Sequence, residues 1–383
     1  MVKEVTRTDE SSDAPVMMIT ANDGFINQSE RYSTDNAGQS LKKYILLHKG
    51  ELAYNHGASK LRPYGSCFAL TTEKNARIPF VYHCFSSEIE NPEFLSVVLN
   101  GRPVEGQLRK IVSSGARMDG LLNISYEEYT SIPVMMPEKA EQDKIADFFR
   151  GLDKVITLHQ CKCKKLICIK KSMLENMFPQ KGEKIPRIRF SGFTDDWEQR
   201  KVADIASDTR GGGTPTTSNR AYWDGEIPWI QSSDLSDGKV FGIEPRKHIS
   251  RAGLNNSATQ LVPEASIAIV TRVGVGKLAF IPYSYTTSQD FLSLCRLQTE
   301  PYFSVYSLYQ MLQGELQAVQ GTSIKGMTRD DLLSKSIIVP KDKDEQQQIG
   351  LYFRSIDHLI TLHQRELEKL QNIKKAMLEK MFV

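Results

Sequence analysis

The chain has 383 residues, of which 40% are hydrophobic and 25% charged, and its formal net charge is +3. That length and apolar content predict two or three domains with cores of their own. No stretch reaches the ~20 apolar residues of a membrane span, and the acidic start is unlike a signal peptide, so we expect a cytosolic protein away from membranes. The small charge permits DNA binding only through local basic patches, and six cysteines without a C-x-x-C pair predict no metal site.

The first globular segment covers residues 1–137. A strand-like stretch leads into a turn that carries Lys60 and Arg62, and a later glycine-flanked loop carries Arg117. Between them, Asn91 stands before a proline and an apolar run, which predicts the N-cap of a helix. Basic side chains on such loops are candidates for contact with DNA.

The second globular segment covers residues 197–340 and follows a linker at 181–196. Its first loop contains the glycines 211–213, which allow unusual backbone angles and close approach. The hydroxyl, amide and guanidinium groups of this loop suit phosphates and base edges; they belong to Thr214, Thr216, Ser218, Asn219 and Arg220.

Three more features of the second segment matter for function. Trp223 and Trp229 are predicted core anchors beside the first loop. Arg272 and Lys277 lie on a glycine-rich turn between two apolar strands, and Lys325 lies on a further glycine-flanked loop. The same order of strands, helix and basic loops recurs in both segments, so we interpret them as diverged copies of one α+β (mixed α/β) domain.

A long internal repeat accompanies the two copies. Residues 141–178 and 345–382 align without gaps, with 21 of 38 positions identical. Both stretches have helical periodicity, so we predict a central helix at 138–180 and a C-terminal helix at 341–383. A helix of 38 residues is ~57 Å long, and two equivalent amphipathic helices can pair as an antiparallel coiled coil with pseudo-twofold symmetry.

The apolar positions of the repeat alternate steps of four and three, which is typical of a coiled-coil seam. His159 and His363 occupy matching seam positions, where a polar residue usually fixes the register. The basic run of Lys162, Lys164, Lys165, Lys170 and Lys171 is interpreted as the solvent-exposed face of the central helix, with contact to the DNA backbone or to a partner as the alternative. The predicted seam residues are Ile145, Phe149, Leu152, Ile156, His159, Leu166, Ile349, Phe353, Ile356, Ile360, His363, Leu367 and Leu370.

The sequence resembles the specificity subunits of type I restriction–modification systems. The resemblance rests on the twin helices, on the stretch I-P-R-I-R-F-S-G-F-T-D-D-W-E, and on G-G-T-P followed by Y-W-D-G-E-I-P-W-I. It implies two target-recognition domains that each read half of a bipartite, asymmetric DNA site. Members usually begin with a W-E element like Trp197-Glu198, so we expect the first domain to lack its opening element.

The resemblance also implies partners. The helices would set the gap between half-sites and dock two methylation subunits, which two motor–nuclease subunits can join. The chain itself would need no cofactor, because S-adenosylmethionine, ATP and magnesium would act in the partners. We find no catalytic motif that would make the chain a fused methyltransferase or nuclease. The alternative is a coiled-coil scaffold for protein partners without DNA reading.

Overall fold

The computed structural model describes residues 2–21, 24–31, 38–112, 121–180, 182–318 and 326–381. These residues divide into two compact units. Unit 1 comprises Met1–His159 and Glu366–Val383, and unit 2 comprises Gln160–Arg365. No helix in the described ranges combines the length and the apolar character that crossing a membrane requires.

Unit 1 contains short strands that surround two small cores. Its main sheet has the order β1-β8-β5-β6, and the pairs β2-β3 and β4-β7 lie beside it. The strands are β1 (Val2–Glu4), β2 (Met17–Thr20), β3 (Gly24–Asn27), β4 (Ile45–His48), β5 (Leu52–Asn55), β6 (Ser66–Ala69), β7 (Asn75–Ile78) and β8 (His83–Ser87). The helices are α1 (Pro92–Val98), α2 (Arg102–Ile111), α3 (Tyr126–Thr130) and the first part of α4 (Lys139–Asn176).

Unit 2 has a corresponding sheet with the order β10-β16-β13-β14, together with the sheet β12-β11-β15 and the pair β17-β9. Its strands are β9 (Glu198–Lys201), β10 (Ala206–Gly211), β11 (Ile227–Ile230), β12 (Lys247–Ile249), β13 (Ser266–Val270), β14 (Leu278–Ile281), β15 (Thr286–Thr287), β16 (Phe291–Leu297) and β17 (Ser336–Val339). Its helices are α5 (Arg251–Asn255), α6 (Pro301–Ala318), α7 (Arg329–Ser334) and most of α8 (Lys343–Met381).

The two units repeat each other in detail. The central strands β5 and β13 are each flanked by antiparallel neighbours, β6 and β8 in one unit and β14 and β16 in the other. Asn91 caps α1 as predicted, since its side chain accepts hydrogen bonds from the backbone of Glu93 and Phe94. Ser125 before α3 and Thr328 before α7 both form capping boxes. Equivalent sequence signals therefore start equivalent helices.

Both long helices are present at the predicted places, with 38 residues in α4 and 39 in α8. Each predicted seam residue is buried or half-buried. In unit 2 the last turns of α4 and the residues just after it contact the start of α8: Lys170 in α4 binds Asp357, and the ring of Phe178, two residues past α4, lies 5.9 Å from that of Phe353. These contacts make the two segments antiparallel. Heptad packing along the whole seam stays a prediction.

One lysine of the basic run, Lys170, is buried rather than exposed to solvent. Lys162, Lys164 and Lys171 are exposed, but Lys170 is only 8% exposed. Its ammonium lies 2.6 Å from an oxygen of Asp357 and donates to the carbonyl of Gly238. The prediction was wrong for Lys170 because α8 and the segment before Phe241 cover this side of α4, which periodicity within α4 alone does not reveal.

Candidate nucleic-acid interface

The first loop of unit 2 begins where two glycines pass close to neighbouring backbone. A Cβ at Gly212 would lie 1.8 Å from the carbonyl oxygen of Ser288, and one at Gly213 would lie 2.4 Å from the amide nitrogen of Thr259. Gly211 has open space around it, and none of the three glycines has a positive φ. The predicted close approach is thus confirmed at two positions, whereas the predicted unusual backbone angles are wrong.

Two tryptophans hold the base of this loop. Trp229 is 4% exposed, and its indole nitrogen donates to the carbonyl of Gly213 at 2.9 Å. Trp223 is half-buried and donates to the carbonyl of Thr216 at 3.2 Å, while its ring meets Trp229 edge-on at 4.9 Å. Lys247 lies above both rings, 5.4 and 5.7 Å from their centroids. The predicted anchors are confirmed: Trp229 fully, and Trp223 at the margin of the core.

The residues between these anchors point polar groups outward. Asn219 caps the short 3-10 helix Arg220–Tyr222 by accepting from the amide of Ala221. Thr214 donates to the side chain of Gln289. Arg220 makes no ion pair with any residue of the described ranges. All five predicted site residues of this loop are exposed: Thr214, Thr216, Ser218, Asn219 and Arg220.

The hairpin between β13 and β14 carries the second pair of predicted residues. Arg272 is exposed, and its neighbour Val273 is 71% exposed. Lys277 is half-buried, and its ammonium donates to the carbonyl of Leu235 at 3.2 Å. Gly276 has φ +99° and faces Leu316, so it both turns the chain and lets α6 approach. Arg272 is free to reach a ligand, whereas Lys277 also braces the hairpin.

The structure brings the first loop and this hairpin to the same short segment, residues 288–290. The amide of Gly213 donates to the carbonyl of Thr287, immediately before the segment, at 2.9 Å. The amide of Thr271 donates to the carbonyl of Asp290 at 2.7 Å. Met327 in turn donates to the carbonyl of Thr271 at 2.6 Å, while the predicted residue Lys325 lies outside the described residues.

Sequence reasoning missed three polar groups around this surface. Arg329 is exposed and donates to the hydroxyl of Thr209 at 2.6 Å, although the pattern placed it in a helix start. The side chain of Gln289 accepts a hydrogen bond from the hydroxyl of Thr214, and the ammonium of Lys247 lies over the rings of Trp223 and Trp229. Of the three, only Arg329 could have been predicted from the sequence, because it closely follows the glycine-flanked loop that carries Lys325. The other two depend on strand pairing across unit 2.

In unit 1 the corresponding hairpin, between β5 and β6, carries Lys60 and Arg62. Lys60 is exposed. Arg62 is half-buried and donates to the carbonyl of Asn100 at 2.7 Å, and burial lowers the pKa of its guanidinium. Gly65 closes the hairpin with φ +80°. The predicted residue Arg117 lies outside the described residues.

A histidine pair lies under the hairpin of unit 1. The two ring nitrogens of His56 face the carbonyl oxygens of Leu122 and Val81 at 2.9 and 2.8 Å. The ring of His83 lies 4.9 Å from that of His56, and burial lowers the pKa of His83. These imidazoles tie the hairpin to neighbouring loops from inside. In the described ranges no three His, Cys, Asp or Glu residues come together as a metal site.

Taken together, the described loops offer hydroxyl, amide and guanidinium donors on rigid supports. Such groups can bind phosphate oxygens and the edges of bases. The strongest arrangement is in unit 2, where the exposed first loop and Arg272 are braced on one segment. The loops of unit 1 provide Lys60 and the remaining donors of Arg62.

The comparison with known protein families covers the part of the chain that contains the loops of unit 2. Residues 194–372 match the model of the family described as the type I restriction modification DNA specificity domain. The specificity subunit of the type I restriction enzyme MjaIX from Methanocaldococcus jannaschii is 25% identical over 193 residues, which are 49% of this chain and 44% of that protein. The specificity subunit of the Escherichia coli enzyme EcoR124I/EcoR124II is 29% identical over 152 residues, 37% of this chain and 36% of that protein.

The matched regions therefore span less than half the length of these two relatives. Among solved structures, the crystal structure of the type I restriction–modification S subunit from M. genitalium superposes with a TM-score of 0.63. That superposition covers 100% of this chain and 93% of the other at 11% identity. At this identity the likeness establishes the fold.

Proposed function

We propose that this chain is a specificity subunit that reads DNA for a type I restriction–modification system, because its residues 194–372 match the model of that family's DNA specificity domain. The observation that carries the proposal is the surface of unit 2. There a loop of exposed hydroxyl, amide and guanidinium groups is fixed by Gly212, Gly213 and Trp229, and Arg272 stands on the neighbouring hairpin. Exposed donors on a rigid base are what sequence reading requires.

We propose further that each unit reads one half of a bipartite target. The repeated sheet order and the repeated helix caps support this view, because equivalent folds present equivalent hairpins. Methyl transfer, ATP-driven motion and cleavage would belong to two methylation subunits and two motor–nuclease subunits. S-adenosylmethionine, ATP and magnesium would bind to those partners, and this chain would itself be non-catalytic.

The direct test is co-expression with the methylation subunit of the same system, followed by mapping of methylated adenines. A DNA-reading subunit should direct methylation to one split sequence that disappears when the chain is omitted. A double variant, Arg220→Ala with Arg272→Ala, should form the same complex but methylate that sequence poorly. Complex formation without any sequence-directed methylation would instead identify a protein scaffold.

The helices offer a second test, because we propose that their length controls the gap between the half-sites. Four residues inserted between Gln160 and Leu166 add ~6 Å and a little over one turn. The methylated motif should keep both half-sites and gain one or two unspecified base pairs, at ~3.4 Å each. A two-residue insertion rotates the apolar stripe by ~200° and should reduce complex formation. Altered half-sites with an unchanged gap would contradict this role.

A further inference from the structure

Both of the hairpins that carry basic residues also carry an exposed aliphatic side chain at the tip. In unit 2, Val273 follows Arg272 and is 71% exposed. In unit 1, Leu61 follows Lys60 and is 65% exposed. A single exposed apolar residue is ordinary on a protein surface. Two of them at the tips of corresponding hairpins, in two diverged copies of one domain, point to a shared role.

The positions of these two side chains correspond along the chain. Leu61 stands five positions before the first residue of β6, and Val273 stands five positions before the first residue of β14. The residue before each of them is a cation, Lys60 in unit 1 and Arg272 in unit 2, and both cations are exposed. Each hairpin therefore presents the same pair of groups, a positive charge followed by an aliphatic side chain.

The tip of the hairpin in unit 2 stands on a braced backbone. The amide of Thr271 donates to the carbonyl of Asp290 at 2.7 Å, and the carbonyl of Thr271 accepts from the amide of Met327 at 2.6 Å. On the other side of the tip, Gly274 turns the chain with φ +89°. Val273 lies between these two features, so its side chain is exposed while the backbone that carries it is fixed.

The tip of the hairpin in unit 1 is braced by different contacts. The amide of Ser59 donates to the carbonyl of Arg62 at 3.0 Å, and the amide of Arg62 donates back to the hydroxyl of Ser59 at 3.0 Å. The guanidinium of Arg62 donates to the carbonyl of Asn100 at 2.7 Å. Lys60 and Leu61 lie inside this closed turn. Two different sets of hydrogen bonds thus present the same pair of side chains.

An aliphatic side chain on a DNA-facing hairpin can recognise one group on the edge of a base pair. In the major groove, the C5-methyl of thymine is the apolar group among hydrogen-bond donors and acceptors. A wedge between stacked bases needs a longer side chain, such as leucine, isoleucine or phenylalanine, whereas Val273 is short and branched at Cβ. The preceding cation suits a phosphate or the acceptor atoms of guanine. The pair of groups therefore fits a thymine next to either of these.

We propose that Val273 and Leu61 are specificity-determining residues, and that each contacts the methyl group of one thymine, in separate halves of the target. The inference rests on the proposed function, since it assigns a base contact to hairpins that approach DNA in that proposal. Both side chains face water in the free chain, and contact with a methyl group would remove apolar surface of both partners from water. Arg272 and Lys60 would hold the neighbouring phosphate or base.

The test compares thymine with uracil, which lacks only the methyl group. Methylation mapping of the assembled complex gives the two half-sites, and synthetic duplexes then carry uracil in place of each thymine of either strand, one at a time. In each half-site one such duplex should bind about fourfold more weakly, as expected for one buried methyl group. Val273→Ala should abolish this discrimination in one half-site only, and Leu61→Ala should abolish it in the other half-site only.

Each alanine variant is the matched control for the other, and Val273→Ile, which keeps an aliphatic tip, should retain the preference for thymine. Because both side chains are largely exposed, the variants should keep their fold, which thermal unfolding checks. Equal discrimination by the unmodified and Val273→Ala complexes, or no thymine whose methyl group matters, would overturn the proposal. Loss of complex formation in Val273→Ala would place the tip against a methylation subunit instead. Absence of any sequence-directed methylation by the unmodified complex would refute the proposed function, and this inference with it.

Discussion

The same ion pair occurs once in each unit, in two very different environments. Lys170 binds Asp357 in unit 2, and at the matching positions of the repeat Lys374 binds Asp153 in unit 1. The side chains of the first pair are 10% and 17% exposed, and those of the second are 33% and 51% exposed. Identical residues in a repeat therefore do not have identical roles, because the surrounding elements decide how much water reaches them.

The difference arises on the neighbouring helix. In unit 2 the hydroxyl of Tyr306 donates to Asp357 at 2.6 Å, and Lys170 lies 5.5 Å from the same ring. The matching position on α1 of unit 1 is Val97, which offers no hydrogen bond. Removing one partner of a buried pair strands a charge away from water, whereas an exposed pair contributes little.

The largest expected effect comes from breaking the buried pair. Asp357→Ala should destabilise unit 2 by about 3–5 kcal/mol, because the buried ammonium of Lys170 would lose its carboxylate partner and keep only the carbonyl of Gly238. Asp153→Ala is the matched control and should cost about 1 kcal/mol or less. Urea unfolding followed separately for the two units measures both. Equal losses for the two variants would show that burial does not distinguish the pairs.

A smaller loss of stability is expected from substitutions of the first-loop glycines, and it should differ between Gly213 and Gly211. Gly213→Ala forces a Cβ towards the backbone of Thr259 and should destabilise unit 2 by about 1–3 kcal/mol. Gly211→Ala meets open space and should change stability little. Thermal unfolding of the two variants provides the comparison. If Gly211→Ala were the more damaging change, close backbone approach would not be the reason for these glycines.

Substitutions in the basic hairpins should have the smallest effect on stability. Their effect on DNA binding should be clear. Arg272→Ala should leave stability unchanged and weaken DNA binding, with the salt dependence reduced by about one unit of slope if Arg272 contacts a phosphate. Arg62→Ala in unit 1 should lower stability as well, because it removes the hydrogen bond to Asn100. Titrations of the assembled methylation complex at several salt concentrations measure the slope. Unchanged affinity and slope for Arg272→Ala would remove this residue from the interface.

The sequence predicted the parts of the fold that local patterns specify. The long helices follow from a repeat with 21 identical positions, and the start of α1 follows from Asn91 and Pro92. The hairpin of β13 and β14 follows from two apolar runs around glycines. Each of these signals acts between residues that are near each other in the chain, so a single sequence contains it.

The missed features depend on residues far apart in the chain. The burial of Lys170 requires Gly238 and Asp357, and the hydrogen bond of Arg62 requires Asn100. The stretch before β9 reads as a linker, yet Arg189 in it is fixed by Glu345, 156 residues away. No periodicity reports such contacts, and residues on exposed loops follow no packing pattern at all. The site residues therefore stay predictions even where their positions are clear.

We propose that the two units read DNA separately, and exchanging one of them shows whether they do. Residues 197–340 would be replaced by the corresponding domain of another family member, and the chimera would be expressed with its methylation subunit. Sequencing of methylated DNA should then reveal a motif in which one half has changed and the other half is kept. A motif that changes in both halves, or in neither, would mean that the two units do not read separate half-sites.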